Sequence, residues 1–186
     1  MATPSSASIQ RVPSRLIWAP TNLGTSEPYG GTYLGTCRDL EFSPQPVLRP
    51  IWNEVSGTTK DVIYGGERVL FKAVVRYPDA DMISTAAFKS VSGASGYHWL
   101  FRPEGTTTNT RAGTSLGTRS GVFLVAARAP LAHPSILFYN AIPAIDETAK
   151  LQMSLGTEYG LAVCFYGTPD SSGRVYDTGF LTDLTL

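Results

Sequence analysis

The sequence contains few of the residues on which catalytic and metal sites are usually built. Its 186 residues include only two cysteines and two histidines. Cys37 and Cys164 lie far apart, without the paired spacing of a zinc or redox site, so we expect buried, reduced thiols. No catalytic motif surrounds His98 or His133, and both are expected to be structural. These absences predict a chain without metal and without cofactor.

An excess of charge of either sign is also missing. Lysine plus arginine number 15 and aspartate plus glutamate number 15, so no net charge attracts nucleic acid or an anionic membrane. No apolar run approaches the roughly 20 residues that a membrane helix needs. Residues 1–14 lack the apolar core of a signal peptide. We therefore expect a soluble protein that is made in a cytosol and contacts no membrane.

The sequence patterns of common enzymes are absent as well. Ser95 lies in Gly93-Ala94-Ser95-Gly96, which has the wrong spacing for a nucleophile elbow. Neither glycine-rich phosphate-binding pattern occurs. Asp170 and Asp177 lack the alternating acidic ligands of a calcium loop, and the segment between them is predicted to form a β-turn. We predict no catalytic residue, and an enzyme hypothesis rests only on Ser95 and His98.

What the chain does contain is the two-residue alternation of half-buried strands. Leu40 and Phe42 alternate with acidic residues, and apolar residues occupy every second position from Val69 to Tyr77. Eighteen glycines and 13 prolines indicate many turns. The sequence predicts a mainly β fold, a sandwich or barrel. The expected strands are residues 15–19, 32–43, 69–77, 121–129, 135–142, 149–155, 159–166 and 174–184.

One segment instead has a helical period. Met82, Ile83, Ala86, Ala87 and Val91 recur at spacings of three and four residues. An aspartate can cap the start of this segment and a glycine can end it. The sequence predicts a single flanking α-helix that begins at Asp79 and ends near Val91.

Three segments have a length or apolar content that a monomer does not need. Residues 1–14 are expected to form an extended arm, and residues 15–186 a single domain with a long basic loop at about 102–120. Pro44 and Pro46 are expected to end a strand, and Pro50 restricts residues 47–55 to an edge or a projecting arm before a turn at 56–60. Trp52 fits a core position and an exposed anchor equally well. The candidate interface residues are Ile9, Arg11, Val12, Val47, Arg49, Ile51, Trp52, Glu54, Arg102, Arg111 and Arg119.

A block within residues 34–91 has an order of motifs that resembles a known family. Leu34-Gly35-Thr36-Cys37-Arg38-Asp39-Leu40-Glu41-Phe42 is followed by Lys60-Asp61-Val62-Ile63-Tyr64-Gly65-Gly66-Glu67, then by a strand and the predicted helix. This order is similar to that of the tail tube (major tail) proteins of long-tailed bacteriophages. The resemblance implies a β-sandwich or barrel with one helix, assembled into six-membered rings that stack into a hollow tube.

The resemblance also implies partners and a location. Further copies of the chain, a tape measure protein and a tail terminator or baseplate protein would contact it in the virion tail, after assembly in the bacterial cytoplasm. Strands of neighbouring subunits would join into a continuous barrel, and the arm and the projecting segment would bridge adjacent rings. Genome DNA would pass without sequence-specific binding. Tubes of this family commonly have acidic lumens, for which Asp39, Glu41 and Glu54 are candidates, although outer-wall positions fit them equally.

Two further hypotheses stay open from the sequence. A neck, terminator or other virion protein of the same fold would have the same features. The aromatic content of the predicted strands instead favours a glycan-binding β-sandwich, because aromatic side chains stack on sugars.

Overall fold

The structure, a computed structural model, describes residues 13–24, 29–76, 115, 117, 120–128, 133–145 and 160–186. These ranges contain seven β-strands and no α-helix, which confirms the mainly β class. The strands are β1 (Ser14–Trp18), β2 (Thr32–Trp52), β3 (Thr59–Arg76), β4 (Gly121–Ala127), β5 (Ser135–Ile145), β6 (Gly160–Gly167) and β7 (Tyr176–Gly179). The helix predicted from Asp79, the strand predicted at 149–155 and most of the loop predicted at 102–120 lie outside the described residues.

All the strands belong to one antiparallel sheet that closes on itself. The strand order is β4-β1-β2-β3-β6-β5-β7, and β4 also pairs with β5. Six strands therefore form a complete ring of pairings, a barrel. The seventh strand, β7, pairs with the first part of β5, while the second part of β5 pairs with β6. A closed sheet leaves few open edges on the body of the domain.

The barrel interior is filled mainly by phenylalanine. Phe71, Phe123, Phe138 and Phe165 are all fully buried. The Phe123 and Phe165 rings stack with their centroids 3.9 Å apart, and the Phe71 ring meets Phe123 edge-on at 5.5 Å. Val69, Phe71, Ala73 and Val75 all belong to this core, so the alternation predicted for this strand is confirmed where the structure describes it.

A second apolar cluster lies on the outer face of the barrel. Ile17 of β1 points away from Leu16 and packs with Leu124 and Leu137. Leu181 and Leu184, beyond β7, cover this face. The strand predicted at 174–184 is therefore wrong in length. The chain turns after β7, with Asp183 N–H donating to Phe180 O at 2.9 Å, and places its last leucines against the barrel.

Both cysteines are buried thiols outside any disulfide bond, as predicted. The Cys37 Sγ donates to Ser14 O at 3.3 Å. Burial raises the pKa of the Cys37 thiol to about 12, so this thiol is protonated near neutral pH and is a poor nucleophile. Ser14 itself is the fully buried first residue of β1, although the sequence places it in the N-terminal arm.

The prediction that proline ends the second strand near residue 44 is wrong. β2 is 21 residues long and continues through Pro44, Pro46 and Pro50. Pairing of β1 with β2 reaches only Cys37, so past that point β2 has a described neighbour on one side alone. A proline whose nitrogen faces the open side removes no hydrogen bond from the ladder. The turn predicted at 56–60 is also shifted, and residues 53–58 connect β2 to β3.

Gly31 is expected to be intolerant of any side chain. Its φ is +73°, and a Cβ there would lie 2.4 Å from the carbonyl oxygens of Trp18 and Ala19. We expect Gly31→Ala to lower the free energy of unfolding by about 3 kcal/mol, because strain and a backbone clash add. Urea denaturation of Gly57→Ala is the control, since Gly57 has a similar φ of +64° in open space and should lose only about 1 kcal/mol. Equal losses in the two variants would contradict this.

Candidate functional site: a projecting β-ribbon

β2 and β3 extend well past the barrel as a two-stranded ribbon. Pairing of β6 with β3 ends at Val69, just as pairing of β1 with β2 ends at Cys37. Beyond the barrel, within the residues that the structure describes, the two strands pair only with each other, and we call residues 45–68 the ribbon. Its eight β2 residues rise about 3.3 Å each and so project about 26 Å.

Two irregularities shape the base of the ribbon. The register of β2 against β3 shifts between Arg38 and Glu41, where Asp39 has a φ of +56°. A second shift lies between Pro46 and Leu48, opposite Gly65 and Gly66. Two consecutive glycines in a strand permit a sharp bend or a bulge, and the structure has a bulge at this pair. Bulges bend a strand and increase its twist, so they turn the ribbon relative to the barrel.

Asn53 organises the tip of the ribbon. Its N–H donates to Thr58 O at 2.8 Å, and its carbonyl accepts the Gly57 N–H at 2.9 Å. The Asn53 side-chain Oδ1 accepts the Val55 N–H at 2.9 Å. The loop is therefore held by its own hydrogen bonds while Val55 is 97% exposed at the end.

One face of the ribbon is entirely apolar along its central part. Residues directly opposite each other in an antiparallel pair share a face. Leu48 pairs with Tyr64 and Pro50 pairs with Val62, and Trp52 lies two residues further along the same face. We call these five residues the apolar face. Leu48, Trp52, Val62 and Tyr64 are 57%, 60%, 48% and 61% exposed, so this face lies in water.

The apolar face lies on the side of β2 and β3 that faces the barrel interior. Phe42, Pro44 and Pro46 occupy the preceding alternate positions of β2. Phe42 and Pro44 pair with Phe71 and Val69, whereas Pro46 pairs with the charged Glu67. Phe71 and Val69 belong to the barrel core, and Phe42 packs against it. Apolar side chains on this side of β2 and β3 therefore continue past the barrel, where no other described strand lies opposite to cover them.

The other face of the ribbon is mixed. Val47, Arg49, Ile51, Asp61 and Ile63 lie there, because Arg49 pairs with Ile63 and Ile51 with Asp61. All five are exposed. Two side chains of opposite charge make this face less apolar than the first, although its three aliphatic side chains are also accessible.

The ribbon contains five of the interface residues that the sequence predicts. Val47, Arg49 and Ile51 lie on the mixed face, Trp52 on the apolar face and Glu54 at the tip, and all are exposed. Trp52 is therefore not a core residue. The remaining candidates lie outside the described residues: Ile9, Arg11, Val12, Arg102, Arg111 and Arg119. The lumen candidates Asp39 and Glu41 are exposed on β2 near the base.

Sequence reasoning missed Leu48, Val62 and Tyr64 as surface residues. The available signal was that Leu48, Pro50 and Trp52 occupy alternate positions, as do Val62 and Tyr64. That spacing predicts that the apolar residues of each strand lie on one side of that strand. It does not predict that both sets lie on the same side of the ribbon.

Tyr176 ties the base of the ribbon to the body. Its hydroxyl donates to Glu67 Oε1 at 3.2 Å, and its ring meets Phe42 edge-on at 4.9 Å. Burial, the neighbouring Glu67 carboxylate and Tyr64 raise the pKa of Tyr176 to about 12. The phenol is thus the hydrogen-bond donor over the whole physiological range.

The contact between Tyr176 and Glu67 predicts that the protein loses stability at alkaline pH. In the unfolded chain the Tyr176 phenol has an ordinary pKa near 10, whereas in the folded chain it keeps its proton to about pH 12. Between these values the unfolded chain binds fewer protons, so the free energy of unfolding falls as pH rises. We expect Tyr176→Phe to show a shallower fall over this interval in urea denaturation. Parallel curves for the two proteins would contradict the assignment.

The described residues contain no candidate metal site. In them, no group of three or more His, Cys, Asp or Glu side chains could hold a metal ion. The loop at Asp170 is a turn as predicted: Asp170 Oδ1 accepts the N–H groups of Ser172 and Arg174 at 2.8 Å, and Gly173 N–H donates to Asp170 O. Within the same ranges, no helix is long and apolar enough to cross a membrane.

No model of a known protein family matches the chain, and no curated protein matches it.

Proposed function

We propose that this protein is a self-assembling structural subunit of a bacteriophage tail tube, in which rings of the chain stack into a passive conduit for DNA. The single observation that carries the proposal is the uncovered apolar face of the ribbon. The motif order in residues 34–91, given above, supports the choice of family. Tape measure and tail terminator or baseplate proteins would be its further partners in the virion.

The size of the apolar face supports assembly. Its side chains expose on the order of 500 Å² of apolar surface, within the range in which the largest patch on a monomer is often functional. The ribbon is also an open two-stranded element, and such elements have marginal stability alone in water. In the part of the chain that the structure describes, nothing pairs with the outer edges of the ribbon, and a neighbouring subunit would cover both these edges and the apolar side chains.

A glycan-binding function has one observation in its favour. Trp52 and Tyr64 lie on the same face, as in an aromatic sugar platform. Of their neighbours on that face, Leu48, Pro50 and Val62 offer no side-chain hydrogen bond to a hydroxyl group, and Thr59, opposite Trp52, offers a single hydroxyl. Sugar sites combine aromatic surface with precisely placed polar groups, so a protein partner fits this face better. A glycan array tests this alternative, and specific binding that Trp52→Ala removes would support it.

Negative-stain electron microscopy of the concentrated protein tests the proposed function. Stacked rings with a central channel are the expected result. Single rings that never stack would favour a neck or terminator protein of the same fold instead. A preparation of separate monomers at every concentration would contradict both.

A further inference from the structure

The two edges of the ribbon differ in their capacity to accept another strand. Backbone N–H groups of a strand point alternately to its two sides. Asn53 N–H points toward β3, because it donates to Thr58 O. The even-numbered residues of β2 in the ribbon therefore face the open side, and Pro44, Pro46 and Pro50 are all even-numbered. Of the outward positions 44, 46, 48, 50 and 52, three carry no N–H.

The edge formed by β3 has no such block. No proline occurs from Thr59 to Arg76, and from Thr59 to Arg68 no other described strand lies beside β3. Val62, opposite Pro50, also faces outward, since its N–H donates to the side-chain Oδ1 of Asp61 at 2.7 Å and not to β2. By alternation the Tyr64 N–H faces the same side. An added strand would meet an N–H group at each outward position of β3, whereas three of the five outward positions of β2 have none.

We propose that an extended segment of a second copy of this chain pairs with the β3 edge of the ribbon, and that the three prolines keep the β2 edge closed. The proposal rests on the self-assembly proposed above and specifies which edge performs it. A ribbon with two open edges could add strands on both sides and grow into an aggregated sheet. With one edge closed, each ribbon accepts one strand.

The surface of the ribbon favours a second copy over a foreign partner. The exposed apolar side chains of its two faces and tip amount to roughly 800 Å², which is what each partner contributes to an interface of standard size. Interfaces between identical subunits are more apolar than transient ones. Apolar surface of this extent is an aggregation liability when it stays in water, and a second copy of the chain is present wherever the chain is made.

Leu48 and Tyr64 provide a matched pair for testing the edge. They are opposite each other, lie on the same face, are similarly exposed and both direct their N–H outward. Tyr64→Pro closes the β3 edge, while Leu48→Pro adds a fourth proline to an edge that is already closed. Neither removes a hydrogen bond between β2 and β3. Each is compared with alanine at the same position, which removes the side chain and keeps the N–H.

The expected result is an asymmetric effect of proline. Tyr64→Pro should raise the concentration needed for assembly by about 100-fold over Tyr64→Ala, because it removes a ladder hydrogen bond and adds a steric block. Leu48→Pro should assemble like Leu48→Ala. Circular dichroism of all four variants checks that the barrel is folded. Equal assembly of Tyr64→Pro and Tyr64→Ala would overturn the edge proposal while leaving the proposed tube function intact.

Amide hydrogen exchange of the unmodified protein gives a second readout that needs no variant. On assembly the amide of Tyr64 should become protected, while that of Leu48 should continue to exchange. Protection of Leu48 without Tyr64 would overturn the assignment of the edge. A wild-type protein that never assembles would overturn both the edge proposal and the proposed function.

Discussion

Replacement of Trp52 and Tyr64 together by serine is expected to abolish self-assembly while leaving the barrel folded. These are the two aromatic side chains of the apolar face, 60% and 61% exposed in the isolated chain. Buried aromatic anchors commonly account for about 2 kcal/mol or more each in an interface. Loss of both should weaken association by about 4 kcal/mol, or roughly 1,000-fold. Sedimentation velocity over a concentration series measures the change.

Tyr33 and Phe180 supply the control for this pair. They are aromatic side chains outside the ribbon, 44% and 43% exposed. Their double replacement by serine also removes two exposed aromatic side chains and should leave assembly unchanged. If the control variant lost self-association as strongly as the ribbon variant, the loss would follow from removing any exposed aromatic side chains. The ribbon would then have no specific role in assembly.

Phe123→Ala should destabilise the barrel by about 4 kcal/mol, at the upper end of large-to-small core substitutions. Phe123 is fully buried, and its ring contacts those of Phe71, Phe138, Phe165 and Trp18. Because four aromatic rings surround the site, the cavity cannot close by movement of a single neighbour. Urea denaturation measures the loss in free energy of unfolding.

Phe180→Ala is the matched control for Phe123→Ala. Phe180 has the same side chain but is partly in water, so its removal should cost less than about 1 kcal/mol. Phe123→Leu should cost less than the alanine change, since it retains part of the volume. A barrel that tolerated Phe123→Ala as well as Phe180→Ala would contradict the assignment of a phenylalanine core.

The interior of the barrel could be predicted from the sequence where a strand buries one face alone, as β3 does. In β3, Val69, Phe71, Ala73 and Val75 are apolar at every second position, and a shift of one residue would expose them all. The same logic placed Leu40 inward and Glu41 outward, as observed. In these segments the alternation of apolar and polar residues was sufficient to predict which side chains are buried.

The length of β2 could not be predicted, because proline tolerance depends on where neighbouring strands stop. Pro44 and Pro46 break a strand that has partners on both sides. Here β1 ends its pairing at Cys37, and that end is set by the three-dimensional arrangement of the barrel. A local rule applied to the sequence therefore divided one 21-residue strand into two pieces.

The apolar face depended on register, which the sequence did not define. Trp52 fitted a core position and an exposed anchor equally, and Tyr64 was not a candidate at all. Leu48 lies opposite Tyr64 only because the bulge at Gly65 and Gly66 shifts the pairing. The glycines indicated a bulge, but the number of residues that it absorbs decides which side chains share a face.

Light scattering of the purified wild-type protein over a wide concentration range tests the central claim most directly. One chain has a mass of 20.0 kDa. The account predicts that the mean mass rises with concentration to six-chain rings and then to larger stacks, as the ribbons become covered. A mass of 20.0 kDa at every concentration, with the ribbon left in water, would contradict it.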